Sequence, residues 1–207
     1  MEIDWEACDA YTTQRWGTTF PDLLKDLWNR GWCDPHHTNY LRFSDLQWLD
    51  PTDLQNVHDP RKQLPGLLPI AKTDEQDLWC VAPNLRPGEP NLITFCPDED
   101  EVAVILSNNF QDFLYRMMLQ ECSCTCRTDS LNHKRSQDDL IDQADVLTEV
   151  FPETWNERLR GVVSLPFVDH GHDYWGMISE QDVFDILAAD SPFTLREEEF
   201  CHFIEDD

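Results

Sequence analysis

The chain has 207 residues, 41% of them hydrophobic and 11% aromatic, enough to bury the core of one domain or of a domain with a sizeable extension. Fifteen Lys and Arg against 41 Asp and Glu leave a formal charge of −26, with −12 on the first 126 residues and a denser −14 on the last 81. That balance argues against nucleic acid or an anionic membrane as partner, since both would be repelled at long range, and favours a basic protein.

No apolar run nears the roughly 18 residues that a membrane span needs. The opening Met-Glu-Ile-Asp-Trp-Glu has neither a basic segment nor an apolar one of the kind that directs export. The expectation is a soluble, cytoplasmic protein. Its eight cysteines are spread along a chain with a core of its own, which fits reduced thiols acting as small buried hydrophobes. Cys80 and Cys96 fall in strands, Cys8 and Cys201 near helical stripes.

In chain order, Trp5, Cys8, Tyr11 and Trp16 have helix-like spacing, and Gly17 stops the pattern. Thr19-Phe20-Pro21-Asp22 has the form of a capping box, followed by the stripe Leu23, Leu24, Leu27 and Trp28 and by Gly31 as a stop. Tyr40 to Phe43 alternates like a strand, Ser44 with Gln47 reads as a second capping box, and Asp50 to Asp53 starts a further helical turn. Val57 to Pro65 is polar and Pro-bounded, a surface connection.

The stretch Leu67 to Cys122 carries the clearest signal. Leu67, Leu68 and Ile70, the polar turn Thr73–Asp77, and Leu78 to Val81 read as a hairpin. Leu92 to Phe95 and Val102 to Leu106, joined by the acidic turn Pro97–Glu101, add two strands. Ser107 is placed to cap a helix with Phe110, Phe113, Leu114, Met117 and Met118 on one face. The expected fold class is α+β, an antiparallel sheet with helices packed on one face, plus a mostly helical C-terminal extension.

The order of these elements resembles the SUKH superfamily, which includes a yeast cell-wall-synthesis regulator and many bacterial immunity proteins. Phe20-Pro21 followed by Leu23, Leu24, Leu27, Asn29 and Gly31 is similar to the family's Leu-Pro opening helix with its Asn-Gly end. Leu68-Pro69-Ile70, the acidic turn and Leu78-Trp79-Cys80 resemble its central hairpin, and Ser107 to Leu119 its closing helix. The resemblance covers residues 17–122 and departs at Arg30-Gly31-Trp32, where the family often has Gly-Gly, and at the hairpin turn, which has no Gly. It implies a non-enzymatic immunity protein that binds and neutralises a cognate toxin, often a nuclease.

Beyond Glu121 the signal changes. Residues 123–137 read as a linker or long loop between the 17–122 domain, itself preceded by a helix in 1–16, and an acidic α/β extension over 138–207. There, Leu140, Ala144, Leu147 and Phe151 pattern one helix, and Pro152 opens another with Trp155 and Leu159. Val162–Val168 and Tyr174–Ile178 read as strands; Ser179 with Asp182, and Thr194 with Glu197, read as caps of two last helices, the second bearing Phe200, Phe203 and Ile204. Leu165-Pro166-Phe167 with Trp175 echoes Leu68-Pro69-Ile70 with Trp79, either as a degenerate second copy or by coincidence.

Metal chemistry is weakly supported. Cys122, Cys124 and Cys126 alternate, with His133 downstream, whereas structural zinc sites pair ligands as Cys-x(2–4)-Cys. His170-Gly171-His172-Asp173 resembles the start of a metallohydrolase element, but a hydrolase needs further ligands and an open position for water. Phosphate-binding Gly-rich loops and a Gly-x-Ser-x-Gly elbow are missing from the sequence. No cofactor and no metal is therefore expected, with a hydrolase built on His170 and His172, or a regulatory scaffold of the same fold, as alternatives. The candidate contacts for a toxin or other basic protein are Asp74, Glu75, Asp77, Asp98, Glu99, Asp100 and Glu101 on turns of the central sheet, with Trp32 as an aromatic anchor. Acidic runs also occur as plain solvated faces, and oligomeric state is not encoded in any pattern here.

Overall fold

The strands read between Leu67 and Leu106 form the middle of a six-stranded sheet in the structure, a computed structural model of the chain. It describes residues 3–56, 66–83, 85–86, 91–98, 100–123, 125–126, 137–171, 174–191 and 198–201. The fold is α+β. Two compact units divide the chain: the first comprises Met1–Tyr40, Asp45–Phe110 and Arg196–Asp207, the second Leu41–Ser44 and Gln111–Leu195.

The first unit opens with α1 (Trp5–Trp16), capped by the Asp4 carboxylate and ended by Gly17 in the left-handed conformation. Helix α2 (Asp22–Asn29) follows. Its N-cap is Pro21 rather than Thr19, and proline has no side-chain oxygen to make a cap bond. Trp5 Nε1 donates to Asn29 Oδ1 at 2.7 Å and Lys25 pairs with Asp9 at 2.5 Å, pinning one helix to the other.

A six-stranded antiparallel sheet runs β1 (Gln47–Trp48), β2 (Leu68–Lys72), β3 (Leu78–Ala82), β4 (Leu92–Cys96), β5 (Val102–Ser107) and β9 (Glu198–Cys201). The central β3 is buried on both faces, and β2 and β4 almost so, which is why they read as continuous apolar runs rather than alternating ones. Pro69 lies in β2, where it can donate nothing to the ladder; the register shifts between Pro69 and Ala71, and the displaced Ile70 carbonyl accepts from Leu49 N–H at 3.0 Å.

Two sheet members correct the sequence reading. Gln47 belongs to a strand, not to a helix cap, and Tyr40 to Arg42 form no strand. Glu198–Cys201, read as helical, pairs with β5 in the register Val102↔Cys201, so Cys201 is exposed on an edge strand. Thr194, Glu197, Phe203 and Ile204 lie outside the described residues, as does the connection 57–65. A 3-10 turn, Leu54–Asn56, stands where the extra helical turn was expected.

The second unit holds α3 (Phe110–Ser123, from its second residue), α4 (Gln137–Leu147), α5 (Glu153–Val163) and α6 (Glu180–Asp190), so the described residues from 137 onward are mostly helical. Ser107 ends β5 rather than capping the helix, its hydroxyl donating to Asn109 O, and α3 starts at Phe110, the first residue of its apolar stripe. Val162 and Val163 complete α5; a small sheet orders β6 (Thr125–Cys126), β8 (Tyr174–Gly176) and β7 (Val168–Asp169). The α6 capping box at Ser179 and Asp182 forms as read.

Tyr115 on α3 centres the packing of this unit. Its ring stacks on Trp155 at 4.4 Å between centroids and meets Phe151 edge-on at 5.4 Å. Its hydroxyl donates to Asp190 Oδ2 at 2.8 Å, while Arg158 grips the same carboxylate through Nε at 2.7 Å and Nη2 at 3.2 Å. Gly176 lies against the end of α3, where a Cβ would fall 2.4 Å from the Ser123 carbonyl oxygen.

Candidate functional site

Antiparallel register decides where the acidic turns lie. Leu78 of β3 faces Cys96 of β4, so the β2–β3 turn and the β4–β5 turn emerge at the same end of the sheet. Gln47 faces Lys72, which brings the start of β1, preceded by exposed Asp45, to that end too.

The first turn is built around Thr73. Its N–H donates to the Asp77 carbonyl at 2.9 Å, and its hydroxyl oxygen accepts from the N–H groups of Glu75 and Asp77 at 3.1 and 3.0 Å. With no glycine available, Gln76 takes the left-handed position, φ 73°. Asp77 then ties the two turns together: Oδ2 accepts from the Thr73 hydroxyl at 3.1 Å and Oδ1 from Asp98 N–H at 2.9 Å. Asp74 is held by the Gln47 side-chain amide, and Asp100 accepts from Val102 N–H at 3.0 Å.

The structure thus brings Asp74, Glu75, Asp77, Asp98, Asp100 and Glu101 to one end of the sheet, with Asp74, Glu75, Asp100 and Glu101 exposed. Glu99 lies outside the described residues. Among the described residues, Asp74, Glu75, Asp77, Asp98 and Glu101 have no Lys or Arg salt bridge. Sequence reasoning missed Asp45 and Gln47 as neighbours of this end. Only the pairing of β1 with β2 reveals them, since the Ser44-x-x-Gln47 pattern fits a helix cap equally well.

Trp32 is not part of this surface. It is 7% exposed, with the Arg30 guanidinium 4.9 Å over its ring, and its N–H donates to the Leu27 carbonyl. With Gly31 N–H donating to Trp28 O, this is a Schellman motif closing α2.

The other constellations are less complete. His170 is exposed after β7, and His172 and Asp173 lie outside the described residues. Cys122 is buried at the end of α3, and Cys124 and His133 are likewise not described. Among the described residues no group of three or more His, Cys, Asp or Glu side chains is placed to hold a metal ion. Burial pushes the Cys33 thiol well above its usual range, and burial followed by the charges of Asp4, Asp9 and Asp50 raises Cys8, so both are protonated at neutral pH. Among the described residues no helix is long and apolar enough to cross a membrane.

Comparison with protein families matches residues 12–116, just over half of the chain, to the SMI1 / KNR4 family (SUKH-1). Comparison with curated proteins and with solved structures finds no match. The matched span holds α2, strands β1 to β5 and the first half of α3, and the chain belongs to the SMI1 / KNR4 family (SUKH-1).

Proposed function

We propose that this protein is a non-enzymatic immunity protein, which binds and neutralises a basic, nuclease-type toxin through the acidic end of its six-stranded sheet. Family membership supports an interaction role of this kind. The observation that carries the choice of surface is the convergence of two acidic hairpin turns, braced by Asp77, with the exposed carboxylates of Asp74, Glu75 and Glu101 lacking cationic partners among the described residues. A basic substrate cleft has the complementary potential, and a charge of −26 steers such a partner from a distance.

The test is affinity capture of the tagged protein from its native lysate at low and at physiological salt, followed by binding kinetics with the retained protein. One basic partner is expected, with association slowing as salt rises. In the variant Asp74→Asn/Glu75→Gln/Asp98→Asn/Glu101→Gln, association should slow by about tenfold, with a shallower salt dependence. The hydrogen bonds bracing the turns use the Thr73 hydroxyl, the Asp77 carboxylate and backbone groups, and Asp74→Asn keeps an oxygen to accept from the Gln47 amide, so these substitutions leave the turn intact. Unchanged association in this variant would remove the sheet end from the interface; a partner bound equally well at all salt concentrations would rule out the electrostatic reading.

A further inference from the structure

The second unit carries a groove of about 590 Å³ between α5, the loop leading to His170 and the first turns of α6. Its floor is apolar, with buried Val162, Met177 and Ile178. Leu165 on its wall is 42% exposed, as is Val168 nearby in sequence, although leucine and valine lose by contact with water. Its rim is acidic: Glu157, Asp182 and Asp185 are all exposed.

The cations of the groove do not offset that rim. The Arg158 guanidinium is engaged by Asp190 through two nitrogens, leaving His170 as the other basic side chain. Phosphates and other anions would be repelled by three carboxylates, while a purely apolar ligand would leave the rim unused. The volume lies within the roughly 300–1,000 Å³ of small-ligand sites, room for several side chains of a short segment, and an apolar floor beneath a carboxylate rim complements an apolar residue flanked by Lys or Arg.

We infer that this groove seats a basic amphipathic segment of the partner protein, an apolar side chain resting against Met177 and Ile178 and flanking cations meeting Glu157 and Asp185. The source of the segment rests on the toxin-binding reading. The site itself lies outside residues 12–116, so it would be this chain's own addition to the family surface.

The probe is a synthetic hexapeptide, acetyl-Lys-Leu-Arg-Phe-Lys-Leu-amide, titrated into the full chain while the methyl signals of Met177, Ile178 and Ile186 are followed by NMR. Those signals should shift, a charge-reversed peptide with Glu for Lys and Arg should leave them in place, and Glu157→Lys/Asp185→Lys should weaken binding about tenfold. Thermal melting confirms that the variant folds; if it does not, Glu157→Gln/Asp185→Asn serves instead, with a smaller loss expected. Shifts spread over other methyls, or unchanged affinity in the folded variant, would overturn the inference. The sheet-end variant separates the two readings. If that variant loses the peptide while the groove variant keeps it, the groove inference falls and the sheet end stands; the reverse pattern supports the groove alone.

Discussion

Tyr115 shows what a single residue contributes that local pattern does not announce. The α3 stripe of Phe110, Phe113, Leu114, Met117 and Met118 is legible from spacing, but Tyr115 owes its role to Asp190, 75 residues later. Burial, then the hydrogen bond to Asp190 and its charge, raise the phenol above its ordinary range. The folded protein therefore holds that proton after an unfolded tyrosine, at about pH 10, has lost its own. Folding stability should fall as pH rises through 10, because the unfolded chain then binds fewer protons. Tyr115→Phe should cost about 1 kcal/mol at pH 7, from the lost hydrogen bond, and flatten the alkaline decline in urea unfolding followed from pH 8 to 11. The raised Cys33 thiol adds a decline of the same sign, which the variant keeps. Caps divide along the same line. Gly17 and the Ser179–Asp182 box were legible because their partners are local. Ser44 was not, since its N–H and hydroxyl both donate to Glu121, at 2.6 and 3.0 Å.

Among the elements, the α2 terminus depends on one glycine. Gly31 has φ 79°, and a Cβ there would meet His37 Cδ2 at 2.6 Å. Gly31→Ala should destabilise the protein by more than about 1 kcal/mol in chemical denaturation, combining the left-handed backbone with the clash. In a His37→Ala background the clash disappears and only the backbone part remains, so the two substitutions should be non-additive; a fully additive pair would show that the ring simply moves aside. Strands β2 to β4 were readable because both faces are buried or nearly so, and β5 because its run Val102–Leu106 is apolar throughout although one face is only partly covered. Strands β1 and β9 were not. Each is short, half polar, and fixed by a neighbour distant in sequence, so local capping patterns at Ser44 and Thr194 outweighed them in the sequence.

For the molecule as a whole, charge was the most legible property and its placement the least. Composition gives −26, but only strand register shows that two acidic runs share one end of a sheet. Self-repulsion at this charge opposes the compact state. Raising NaCl from about 10 to 150 mM shortens the screening length from about 30 to 8 Å. The melting temperature should rise by about 2–4 °C, roughly 1 kcal/mol for a chain of this size. A fall would indicate that attractive pairs outweigh repulsion. The family resemblance was legible over the first half because its helix ends and hairpin are local features, and the family match stops at residue 116, before the extension.

The edge strand β9 has a consequence in time. It pairs with β5, yet the ribosome makes it some 90 residues later, after the whole second unit. At translation rates of about 5–20 residues per second, β5 waits on the order of 5–20 s with one edge open. During that interval the nascent sheet offers unpaired N–H and C=O groups to any neighbouring extended chain, a hazard the finished protein no longer carries along β5. A shortened version ending at residue 116, where the family match stops, would make that transient state permanent.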